Sequence, residues 1–134
     1  MKLRRIIETC LYVSDLDAAR HFYEGLLGEA PLSQVENRHV FFRLESAMLL
    51  LFNPAETSRP DGELPSHGAR GPGHVAFQVS AREFPAWRRR LAELGIAIES
   101  DWSWPSGAQS LYFRDPDQNS IEITVGATWM LPDA

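Results

Sequence analysis

The chain has 134 residues, of which 44% are hydrophobic and 10% aromatic, and it carries 13 Lys+Arg against 18 Asp+Glu for a formal charge of −5. That apolar content suffices for a sizeable core and rules out disorder throughout, while the negative balance argues against nucleic acid as a partner. The longest unbroken apolar run, Ala47 to Phe52, falls far short of the roughly 20 residues of a membrane span. The start Met-Lys-Leu-Arg-Arg leads into Ile-Ile-Glu-Thr and not into a secretory apolar stretch, so a cytoplasmic protein with no membrane partner is expected. A lone cysteine, Cys10, permits neither an intrachain disulfide nor a multi-cysteine zinc site.

Alternation over Arg5 to Val13 predicts a strand with Ile7, Thr9, Leu11 and Val13 on one face and Glu8, Cys10 and Tyr12 on the other. Ser14-Asp15 then offers a helix cap, and Leu16, Ala19, Phe22, Tyr23, Leu26 and Leu27 form an apolar stripe that stops at Gly28. Strand-like runs follow at His39 to Leu44 and Ala47 to Phe52. From Asn53 to Gly73 the chain holds four of its nine prolines and four of its nine glycines and shows no period, which reads as a linker. His74 to Val79 restarts the pattern, with Val75, Phe77 and Val79 on one face. Ser80 is the expected cap, Phe84, Trp87, Leu91 and Leu94 the stripe, and Gly95 the stop. Ile96 to Glu99, Gln109 to Arg114 and Ser120 to Val125 are the remaining expected strands. The fold class is therefore α+β, a duplication of two strand-helix-strand-strand-strand (βαβββ) units, with module 1 over about 1–53, a linker over 54–72 and module 2 over about 73–134.

Parity singles out three residues. Glu8 opens the polar face of the first strand and His74 holds the equivalent place in the second unit. In the last strand Ile121, Ile123 and Val125 share a face, which turns Glu122 and Thr124 to the other side. A carboxylate between two isoleucines is costly unless paired, hydrogen-bonded or metal-bound. One His and two carboxylates are a three-ligand set suited to a divalent ion such as Mn, Fe, Ni or Zn. The plainer reading is that the three are solvated or bonded to one another in a wet cleft.

The segments Val13-Ser-Asp-Leu-Asp with His21-Phe-Tyr-Glu-Gly-Leu-Leu-Gly, Gly73-His-Val-Ala-Phe-Gln-Val, and Leu111-Tyr-Phe-Arg-Asp-Pro-Asp-Gln-Asn-Ser-Ile-Glu-Ile resemble, over nearly the whole chain, the vicinal oxygen chelate superfamily. That superfamily includes glyoxalase I, extradiol dioxygenases, fosfomycin-modifying enzymes and bleomycin resistance proteins. The resemblance implies paired βαβββ modules whose sheets form a cupped half-barrel with the helices outside. It places the metal positions on Glu8, where the family usually has His, on His74, and on Glu122, which it also marks as catalytic. A fourth position, present in glyoxalase I, falls on Leu49 or Leu50 and offers no ligand.

The implied activity is that of a metal-dependent enzyme, an isomerase, lyase or dioxygenase acting on a small organic substrate through metal-bound oxygens. Fosfomycin-type chemistry is set aside for want of a cationic loop suited to a phosphonate, Arg88-Arg89-Arg90 reading as a solvated helix face. Tyr12, Phe41, Trp102, Trp104, Tyr112 and Trp129 are the candidate substrate walls, and they suit an aromatic or partly apolar substrate. His67 is a candidate acid or base or else an exposed loop residue, and His39 is expected at the surface. The rival reading is a metal-free protein that sequesters a drug or natural product, as bleomycin resistance members do. A homodimer is expected, with modules paired within or between chains.

Overall fold

The first strand, β1 (Glu8–Tyr12), buries Leu11 on one face and turns Glu8, Cys10 and Tyr12 to the other. The structure is a computed structural model that describes residues 1–134. Regular structure begins at Glu8, so Ile7, which alternation puts on the face of Leu11, is 59% exposed. Helix α1 (Leu16–Leu27) starts where the Asp15 side chain accepts a hydrogen bond from the Ala18 N–H at 2.9 Å, and it ends at Gly28 with φ +71°, a conformation glycine adopts without a Cβ penalty. Its buried face is Ala19, Tyr23 and Leu26. Strands β2 (Ser33–Val35), β3 (His39–Arg43) and β4 (Met48–Phe52) follow, in a sheet ordered β1-β4-β3-β2. β1 pairs parallel with β4, and the other pairings are antiparallel. β2 is fully exposed, so no apolar period announces it; Asn37, with φ +59°, makes the turn that folds it onto β3.

The Gly/Pro-rich stretch is not featureless. It opens with a one-turn helix, α2 (Pro54–Thr57), capped by Asn53, and His67 returns its N–H to the Thr57 carbonyl at 2.9 Å.

The same order recurs in β5 (His74–Gln78), α3 (Phe84–Glu93), β6 (Ser100–Ser103), β7 (Gln109–Arg114) and β8 (Ser120–Thr124), a sheet ordered β5-β8-β7-β6 with the β5–β8 pair parallel. Two expectations shift here. Ser80 does not begin the helix directly: its hydroxyl donates to Glu83 Oε2 at 2.6 Å and accepts from the Glu83 N–H, closing a turn ahead of Phe84. Ile96 to Glu99 is not a strand, because the Ile96 N–H bonds back to the Leu91 carbonyl at 2.8 Å to close the helix; the Glu99 N–H makes the first bond to β7, to the Tyr112 carbonyl at 2.7 Å, and the ladder runs from Ser100.

Each unclosed sheet has one face of buried apolar residues. Leu49, Leu51 and Phe42 line it in the first, Ile121, Ile123 and Phe113 in the second, and all are at most 1% exposed. The chain divides into two units, Met1–Gly73 and His74–Ala134. After β8 a 3-10 turn (Gly126–Trp129) leads into a tail tied down by Gln78 Nε2, which donates to the Pro132 carbonyl at 2.6 Å, and by the Ala81 N–H, which donates to Asp133 at 3.0 Å. Gly126 lies under that tail, where a Cβ would sit 2.7 Å from the Leu131 carbonyl oxygen and also strike the Pro132 carbonyl. No helix is long and apolar enough to cross a membrane.

Candidate functional site

Strand register converts parity into geometry. In the second sheet His74 pairs with Ser120, and Glu122 lies between Ala76 of β5 and Tyr112 of β7. His74 Nδ1–H donates to the Ser120 carbonyl at 3.0 Å, which leaves Nε2 of the neutral ring as a lone pair facing Glu122 Oε2 at 3.4 Å. Two acceptors thus converge, an arrangement that a proton or a cation between them must reconcile. Glu122 is buried, and its Oε1 has no hydrogen-bond partner. An orphaned buried carboxylate oxygen beside an imidazole whose other nitrogen is fixed by a backbone carbonyl is a donor set that fits a divalent ion.

The rest of that face is polar and ordered. Trp104 Nε1–H donates to Ser110 Oγ at 2.9 Å, Ser110 Oγ lies 2.9 Å from Thr124 Oγ1, and Thr124 Oγ1 lies 2.7 Å from Thr128 Oγ1. Since the Thr124 hydroxyl donates to the Gln109 carbonyl at 3.0 Å, it accepts from its hydroxyl neighbours. Tyr112 stacks beside His74 with ring centroids 6.4 Å apart, and burial together with the Glu122 charge pushes its phenol pKa up. Trp102, on the edge strand, is 52% exposed and meets Trp104 edge to face; Trp129, on the 3-10 turn beyond the sheet, is 71% exposed.

In the first sheet the register is equivalent, so Leu50, between Cys10 of β1 and Phe41 of β3, takes the place that Glu122 has in the second. This resolves the choice between Leu49 and Leu50, since Leu49 faces the core. The uncovered face forms a cavity of about 840 Å³ lined by Glu8, Tyr12, Phe41, Leu50, Phe52 and His67, among others. Glu8 is exposed on its wall. Burial, and then the Glu8 charge, push the Cys10 thiol up, so it is held as the unreactive thiol. The Tyr12 hydroxyl lies 2.8 Å from His67 Nδ1, and the His67 ring packs edge-on to Phe52 at 4.8 Å. His67 is thus an exposed loop residue with a fixed seat on this face.

His39 corrects an expectation. It is buried, stacked on Phe41 at 3.9 Å, and its Nδ1 accepts from Arg38 at 2.8 Å; burial and then the Arg38 charge lower its pKa. The strand-end reading overlooked that His39 shares parity with Phe41. Phe52 was missed for a similar reason, as the end of an unbroken apolar run gives no face. Ser110 and Thr124 carry no signal in sequence beyond that same parity. The Arg88-Arg89-Arg90 run is spent on surface ion pairs, Arg88 with Asp101 at 2.6 Å and Arg89 and Arg90 with Glu93. Neither unit by itself gathers three His, Cys, Asp or Glu side chains.

The duplicated βαβββ sheets and a His–Glu pair on an uncovered face define a protein of the vicinal oxygen chelate kind. Residues 5–123 match the model of the Glyoxalase/Bleomycin resistance protein/Dioxygenase superfamily, and the chain belongs to that family. It is 27% identical over 118 residues to a metallothiol transferase FosB from Bacillus licheniformis, covering 87% of this chain and 72% of that protein. Among solved structures it is similar to a lactoylglutathione lyase from Agrobacterium tumefaciens, at 40% identity and TM-score 0.91 over 96% of this chain and 98% of the other. A glyoxalase/bleomycin resistance protein/dioxygenase from Nocardioides follows at 25% identity and TM-score 0.73, over 92% and 84%. The likeness to a metallothiol transferase over most of the chain means that the missing cationic loop does not separate this protein from that branch of the family.

Proposed function

We propose that the protein is a metal-dependent enzyme acting on a small organic substrate through substrate oxygens, with His74 and Glu122 as two ligands of a divalent ion and Glu8, from this chain or a second copy in a homodimer, as the third. The observation that carries this reading is the convergence of His74 Nε2 on Glu122 Oε2 at 3.4 Å beside a buried Oε1 with no hydrogen-bond partner. A divalent ion held there supplies Lewis-acid stabilisation of negative charge on a substrate oxygen. The chain's own residues set the stage: the Ser120 carbonyl fixes the His74 tautomer, and the hydroxyl chain from Trp104 to Thr128 orders the face beside Glu122. The names of two relatives, a metallothiol transferase and a lactoylglutathione lyase, favour a substrate or co-substrate that carries a thiol or thioester. Aromatic side chains on both inner faces favour a partly apolar body.

Metal content measured by inductively coupled plasma mass spectrometry, on protein purified without chelator or affinity-column metal, tests the reading. About one Mn, Fe, Ni or Zn per chain in the parent, lost in both His74→Ala and Glu122→Ala, is expected. Equal trace metal in all three, persisting after incubation with those ions, would leave the metal-free sequestering protein as the better account.

A further inference from the structure

The cavity of the first unit holds features that the metal reading does not use. Its volume, about 840 Å³, lies within the roughly 300–1,000 Å³ of small-molecule sites. Three rings meet there: Phe52 is edge-on to Phe41 at 5.2 Å and to His67 at 4.8 Å, leaving flat walls at right angles. Arg38 lies 5.9 Å from the Phe52 ring centre and donates to His39 Nδ1, but it makes no ion pair, whereas Arg59, the other arginine on the wall, is committed to Glu56 and Asp61. The Tyr12 hydroxyl occupies His67 Nδ1 at 2.8 Å, which leaves Nε2 as the ring nitrogen that can meet a ligand. A guanidinium without a counter-ion and an imidazole nitrogen, both against Phe52, complement an anion on a planar body.

We propose that this cavity binds a flat aromatic carboxylate, its ring laid against the wall that Phe41 and Phe52 form together and its carboxylate received by Arg38 and His67. The inference deepens the small-molecule reading above by naming a ligand class, but it does not depend on the metal, because none of the residues it uses is one of the three proposed ligands. An ammonium is the competing ligand, since Glu8 and Glu63 on the same wall have no cation partner. The order of preference between the two charges therefore decides the matter.

Chelator-treated full-length protein is titrated with naphthoate, naphthylmethylammonium and cyclohexanecarboxylate, with binding followed by ligand-observed saturation-transfer NMR. Naphthoate is expected to bind ahead of both others. His67→Ala and Arg38→Gln each weaken it by about tenfold or more, the value of one lost charge-assisted hydrogen bond. Arg38→Lys, which keeps the charge and guards against a folding defect in Arg38→Gln, retains most of the affinity, and Arg89→Gln, at a surface ion pair away from the cavity, binds as the parent does. The proposal is overturned if the ammonium binds more tightly than the carboxylate, if the Arg38 and His67 variants bind unchanged, or if nothing binds at millimolar concentration. Loss of naphthoate binding with metal content intact removes this site alone; absent metal with naphthoate binding intact removes only the metal reading.

Discussion

Leu50 and Glu122 sit at the same place in two sheets of the same strand order, one an aliphatic residue in an aromatic cavity, the other a carboxylate beside an imidazole. On the opposite faces the sheets hardly differ: Phe42 matches Phe113, Leu49 matches Ile121 and Leu51 matches Ile123, all buried. The covered face specifies the βαβββ topology and tolerates only apolar residues of suitable size. The uncovered face, released from that demand, is where the two halves have taken different chemistries.

If the covered faces are equivalent, Phe42→Ala and Phe113→Ala should each cost about 3–5 kcal/mol and agree with one another to within about 1 kcal/mol. Urea midpoints at constant slope measure this, and a large loss in one with little in the other would end the equivalence. Leu50→Glu places the carboxylate of the second sheet into the first, where Glu8 holds the place of His74, and should cost about 3 kcal/mol at neutral pH. Leu50→Met serves as the volume control, and unchanged stability in Leu50→Glu would mean that the first sheet accepts a charge as readily as the second. A smaller effect concerns His39. Because folding lowers its pKa, the unfolded chain takes up the proton more readily. The stabilisation of the neutral ring is therefore complete above the unfolded value of about 6.5 and is lost as pH falls through the lower folded value. Thermal melts at about pH 8 and about pH 5 should show a drop in the parent that His39→Gln reduces.

Period-two alternation revealed β1, β5 and β8, because each has one apolar and one polar face, and parity alone put Glu8, His74 and Glu122 on uncovered faces. The same alternation misled at Ile96 to Glu99, where a helix-closing backbone bond outranked strand pattern. It was silent at β2, whose three residues are all exposed. Unbroken apolar runs hid the distinction between Leu49 and Leu50 until register supplied it. The Trp104–Ser110–Thr124–Thr128 chain and the seat of His67 on Phe52 depend on side chains from separate segments meeting, which no local pattern encodes.

The glycine beneath the tail has an evolutionary corollary. Any side chain at position 126 strikes the carbonyls of Leu131 and Pro132, and the tail in turn is held by Gln78 and the Ala81 amide. Neither partner can drift alone: a larger residue at 126 expels the tail, whereas a chain that has already lost the tail bears the same replacement with little harm. Substitutions here are epistatic, so the order in which they arise decides which of them survive.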